Sequence, residues 1–203
     1  MSKSTRERIK KKRRKQRARV ILIWGVIAVA AVGAIAWLAN QASARESGEF
    51  VEIPQVQAVE EMESRAHVAD GADPGPYNSD PPTSGQMYSS PARAGFNDVG
   101  SADSFGEFPA GPLMHSQEHG YVIFWYNCDV VSEAECEDLK DEIEQVMGRV
   151  GNFKVIGFPW PSIEEPVVMT SWGRMLRFDE FDADLAEQYV KNFRNQAPEP
   201  NAP

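Results

Sequence analysis

Residues 20–39 read VILIWGVIAVAAVGAIAWLA, a run without a charged or strongly polar side chain. Wound as a helix at ~1.5 Å per residue it would be about 30 Å long, the thickness of a bilayer's hydrocarbon interior. Trp24 and Trp37 stand near its two ends, where indole rings prefer the membrane interface. The run predicts a transmembrane helix, which places everything after it on one side of a membrane.

Which side follows from charge. The first nineteen residues hold eleven of the 21 Lys and Arg residues against one acid, Glu7. Subtracting that +10 from the chain's net −9 leaves −19 on residues 20–203. Basic residues beside a span are retained in the cytoplasm, so the N-terminus is expected inside and the C-terminal domain extracytoplasmic, in a single-pass cell-membrane protein. The small-x-small triplet at residues 42–44 offers a cleaved signal peptide as the alternative. The apolar run exceeds the ~7–15 residues of a signal core, which favours an uncleaved anchor. The basic tail suits anionic inner-leaflet lipids. Nothing like a folded nucleic-acid reader accompanies it, and the acidic remainder repels nucleic acid, so no nucleic-acid partner is expected.

Residues 40–76 are acidic, with no steady apolar period, and read as a flexible stalk. His67 falls in this stretch and reads as a solvated linker histidine. A turn-forming run, DPGPYNSDPPTSG, closes the stalk. Residues 77–197 then form one exported domain, large enough for a single core, with residues 198–203 as a tail.

Within the domain, the unbroken apolar run YVIFWY (121–126) predicts a strand covered on both faces. Ser132 with Glu135 makes a capping box for a helix whose Leu139, Ile143, Val146, Met147 and Val150 follow helical spacing, and Gly151 can end it. Further strands are expected at 153–158, 166–172 and 174–178, the last two joined at Gly173 as a hairpin. Asp182 caps a closing helix that places Leu185, Ala186, Tyr189 and Phe193 on one face. The class is α/β, a transmembrane helix plus one mixed domain of β-α-β-β-α order, like the second half of a thioredoxin-like domain. Thioredoxin chemistry needs two cysteines two residues apart at a helix start. Here Cys128 and Cys136 are eight apart with acidic neighbours, and outside the membrane they suit a structural disulfide.

Three ordered motifs, YNSDPPTSG, HSQEHGYVIFWYN and TSWGRMLRFDEFD followed by a terminal helix, resemble the bacterial domain-of-unknown-function 3105 family. The resemblance covers residues 77–198 and implies an N-terminal membrane anchor, but no activity. The family pattern has Pro-His after Thr-Ser-Gly, where this chain has Gln86 and Met87. Methionine cannot replace a histidine base, but it can replace a histidine that ligates a soft ion, because a thioether suits copper(I).

The expected metal residues are therefore Met87, Met114, His115 and His119, with Glu118 as ligand or supporting partner, and copper is the expected ion. Geometry adds a condition. On a strand His115 and His119 would stand about 13 Å apart. In a helical turn they would be neighbours at roughly 6 Å, so binding requires a turn at 116–118.

HSQEH also fits the H-x-x-E-H pattern of inverted zinc peptidases. That pattern needs a long helix, and Gly111, Pro112 and Gly120 leave room for a single turn. Three readings stay open: a copper-binding domain, a non-catalytic accessory domain docking on a membrane-protein partner with the motif purely structural, and a metal-dependent hydrolase.

Overall fold

Alternation explains the apolar run. In the computed structural model, which describes residues 50–202, the central strand of the sheet sends Val122, Phe124 and Tyr126 to one core cluster and Ile123 and Trp125 to another. All five are buried. Burying side chains such as Ile123 and Phe124 contributes roughly 1.5–3 kcal/mol each, so this segment anchors both faces.

The elements in chain order are β1 (Gln57–Ala58), β2 (His67–Val68), β3 (Met87–Tyr88), β4 (Gly95–Phe96), α1 (Val99–Ala102), a 3-10 turn (Asp103–Phe105), α2 (Ala110–Glu118), β5 (Val122–Tyr126), a second 3-10 turn (Cys128–Val130), α3 (Glu133–Arg149), β6 (Val155–Pro159), β7 (Val167–Ser171), β8 (Arg174–Phe178) and α4 (Ala183–Phe193). Six strands form a mixed sheet in the order β1-β8-β7-β5-β6-β4, and β2 and β3 form a separate parallel ribbon. β6 is parallel to β5 and to β4, whereas β7 is antiparallel to β5. Helices α3 and α4 cover the face of Val122 and Phe124. Helix α2 and β3 cover the other.

The caps form as their residues predict. Ser132 and Glu135 complete the capping box of α3, and Asp182 accepts from Asp184 and Leu185 N–H at the start of α4. Leu139, Ile143, Val146 and Met147 are buried along α3, and Gly151 leaves it at φ +84. Gly173, at φ +67, turns the β7–β8 hairpin. Cys128 and Cys136 are joined as a disulfide, tying the second 3-10 turn to the first turn of α3.

Three expectations are corrected. All three strands expected after α3 form, one more than a β-α-β-β-α order counts, and that order also omits β1 to β4, α1 and α2 ahead of β5. β6 starts at Val155 rather than residue 153, because Asn152 and Lys154 take positive φ and leave Phe153 half-exposed.

Residues 50–76 are also no flexible stalk. Ile53 enters the main core, β1 pairs antiparallel with β8, and Asn192 donates to Val51 O at 2.6 Å. Trp172 Nε1 donates to Glu61 at 2.8 Å. A sheet edge supplies backbone partners to any extended segment, so a few apolar anchors suffice without periodic patterning. The basic tail, the expected span and residues 40–49 lie outside the described residues. Among the described residues no helix is long and apolar enough to cross a membrane.

Candidate metal centre

α2 begins at Pro109 and Ala110 and is buried along nearly its whole length. It is a helix of nine residues, not the single turn expected. Proline is tolerated in a first helical turn, where its missing N–H has no partner to lose, so Pro112 does not break it. Gly111 gives the helix its seat, since a Cβ there would lie 2.5 Å from the Tyr88 ring. Gln117 Nε2 donates to Thr170 Oγ1 at 2.6 Å and Ser116 Oγ to Ala92 O at 2.9 Å, which lock the helix to its neighbours. Gly120, at φ +88, then releases the chain into β5.

This helix brings His115 and His119 together. Their rings meet edge to face at 4.4 Å between centroids, so the condition of a turn at 116–118 is satisfied. A third ring completes a row: His67, on β2, lies 4.8 Å from His115. It is held there by the β2–β3 ribbon, in which His67 pairs with Met87. His67, a linker histidine in the sequence reading, therefore stands beside the motif histidines.

His67, His115 and Glu118 each offer one ligand atom, and the three lie within 4.8 Å of one another. Glu118 is 3% exposed. Its Oε1 accepts from Arg65 at 3.0 Å, while Oε2 stands 3.8 Å from His67 Nε2. Glu118 Oε2 and His115 Nδ1 are both buried without a hydrogen-bond partner. Unpaired buried polar atoms cost about 1–3 kcal/mol each, a cost that a bound ion or a bridging water between these two would remove. Burial, followed by the charges of His119 and His67, lowers the His115 pKa below 6.5 and keeps its ring neutral at pH 7. A neutral imidazole is the form that ligates a metal.

The residues fit a metal ion. Two imidazoles and a carboxylate suit zinc, copper(II), iron or nickel. Ligand atoms at ~2.0–2.2 Å from one ion span at most about 4.4 Å, close to the 4.8 Å that bounds the separations in this group. His67 is the exposed member of the group, on a two-residue strand.

The other expected ligands are placed differently. Met87 and Met114 are wholly buried in the second apolar cluster. His119 stands 3.9 Å from Glu199 on the returning C-terminal tail. In the peptidase arrangement the two motif histidines ligate and the glutamate activates water. Here Glu118 groups with His67 and His115, whereas His119 stands outside that group. The arginines of the last hairpin are engaged, Arg177 by Glu165 at 2.8 Å and Arg174 over the Phe193 ring.

Sequence reasoning missed His67 and Arg65. The one available signal was that the chain has only three histidines. Their meeting depends on a two-residue ribbon that no periodicity announces.

Fold and site together define a mixed α/β domain with a buried helix that presents histidine and glutamate to a strap from the N-terminal side. The chain belongs to the family described as protein of unknown function DUF3105, whose model matches residues 69–203. His67 and Arg65 lie just ahead of the matched segment. Comparison with curated proteins and with solved structures finds no match.

Proposed function

We propose that this is a membrane-anchored extracytoplasmic domain that binds one transition-metal ion at His67, His115 and Glu118, with copper(II) as the ion and zinc its main competitor. The observation that carries this reading is the pair of buried, unpartnered ligand atoms, His115 Nδ1 and Glu118 Oε2. Among divalent ions copper binds nitrogen and oxygen donors most tightly, which supports copper(II) for this set. The Cys128–Cys136 disulfide supports an oxidising compartment outside the cytoplasm. Strand, helix, strand, hairpin and closing helix support a thioredoxin-like framework, without the closely spaced cysteine pair of thioredoxin chemistry.

The test is metal content of the full-length protein after separate loading with copper(II) and zinc and removal of free ion. About one equivalent is expected in wild type and loss in His115→Ala and Glu118→Gln. Wild type that retains neither ion ends the reading.

One observation favours a second reading. Arg65 already pairs with Glu118, so the cluster can serve as a pin between the β2–β3 ribbon and α2 in a non-catalytic accessory domain that docks on a membrane-protein partner. In that case His115→Ala lowers stability and leaves metal content at zero throughout.

A further inference from the structure

Among the described residues two aromatic rings stand mostly in solvent, Phe50 at 65% and Phe153 at 51% exposed. A lone exposed apolar ring needs no explanation. These two, however, flank one point, the carboxyl end of α4. The Phe50 ring meets Phe193, the last residue of that helix, edge to face at 6.1 Å. The Phe153 ring lies 5.7 Å from the guanidinium of Arg194, the next residue. Val51, also exposed, extends the patch beside Asn192.

The presentation of Phe153 is built into the fold. Its neighbours Asn152 and Lys154 both take positive φ, 54° and 50°, a conformation that costs free energy in any residue but glycine. Hydrogen bonds from both sides hold this loop. Arg194 donates to Val150 O at 2.9 Å and to Phe153 O at 3.1 Å. Buried Lys154 donates to His119 O and Pro200 O at 2.8 Å each. The loop thus keeps backbone strain while its ring stays outside the core, as expected where the ring has another surface to meet.

The length of chain ahead of the patch says what that surface is. Ten residues, 40–49, separate the expected span from Phe50, and at ~3.3–3.6 Å per residue they reach at most about 36 Å. A domain tethered so closely to a bilayer meets lipid at high effective concentration, so even weak insertion of two rings is populated. Charge does not supply the contact. Arg194 and Lys154 are turned to carbonyl groups, Arg149 and Lys191 are paired with Glu187, and Glu52 is exposed beside Val51. We propose that Phe50, Val51 and Phe153 form a membrane-docking patch, which rests the domain in the lipid interface by apolar contact rather than by attraction to anionic headgroups. The proposal rests on the membrane-anchored reading.

The test is photo-crosslinking of the full-length protein in nanodiscs of phosphatidylcholine, a lipid without net charge. One variant carries Phe153→p-benzoylphenylalanine, and a control carries Val99→p-benzoylphenylalanine at the other end of β6, where Val99 lines a cavity with Pro159 and Trp160. Lipid adducts at position 153 should exceed those at 99 by about fivefold or more. They should persist at high salt, which screens charge but not apolar burial. Adding Phe50→Ser should lower them by about twofold or more. Protein that fails to co-purify with the nanodiscs overturns the membrane-anchored reading and this proposal together. In co-purified protein, equal yields at 99 and 153, adducts to a second copy of the chain in place of lipid, loss of lipid adducts at high salt, or indifference to Phe50→Ser overturns the docking patch alone.

Discussion

The rings of His67 and His115 stand 4.8 Å apart at a tilt of 45°, one carried by a two-residue strand and the other by the buried helix α2. They join the segment leading in from the N-terminus to the most buried helix of the domain. An ion between them would fasten that segment down.

Trypsin cleavage after Arg65 reports on this. Arg65 is partly exposed and its segment is held near α2 by the short ribbon and its pair with Glu118. Bound copper(II) or zinc should slow cleavage at Arg65 by about tenfold or more, since ligand binding stabilises the state that holds it. In His67→Ala the protection should disappear. Mass spectrometry of the digest with and without ion measures it.

Replacing Met87 by leucine separates the two ligand sets. If the ion sits on His67, His115 and Glu118, Met87→Leu keeps its metal content, and the swap of similar volumes costs under about 1.5 kcal/mol. A loss of copper with zinc retained would restore the thioether to the site. Metal quantitation and thermal unfolding of the same preparation give both answers.

The pH dependence of the metal-free protein follows from His115. Its folded pKa lies below the ordinary 6.5, with burial the largest cause. Above 6.5 the ring is neutral whether folded or unfolded and exacts no penalty. As pH falls through 6.5 toward the lower folded value, the unfolded chain takes up the proton first and stability declines. Below the folded value the decline levels off. Urea unfolding at pH 7.5 and 5.5 should show the drop, and His115→Gln should flatten it.

Gly111→Ala tests how the helix is seated. The added Cβ would lie 2.5 Å from the Tyr88 ring, and neither the ring nor the buried helix has room to give. Overpacking of this kind costs about 1–3 kcal/mol. A lowered melting temperature together with weakened metal binding is expected, because Tyr88 adjoins Met87 in the strand that positions His67.

Much of the framework was legible in the sequence because its signals are local. The capping box of Ser132 and Glu135, the period of Leu139, Ile143 and Val146, and the glycine of the hairpin each act within a few residues. His115 and Glu118 both stood among the expected metal residues, on the motif and the family resemblance, but in the company of Met87 and His119 rather than His67. α2 was underestimated because Gly111 and Pro112 weigh against a helix locally, whereas burial against Tyr88 and the hydrogen bond from Gln117 to Thr170 favour it through distant partners.

By itself the sequence determined the strands, caps and periodic faces of residues 121–193, the cysteine pair, and a motif with two histidines and a glutamate. Tertiary structure alone decided that Met87 and Met114 belong to the core, that residues 50–68 are part of the domain, and that His67 completes the group. The physical reason is the range of the forces. Helix and strand propensity are set by neighbours along the chain, whereas a ligand cluster is set by which surfaces pack, and two-residue pairings leave no periodic trace.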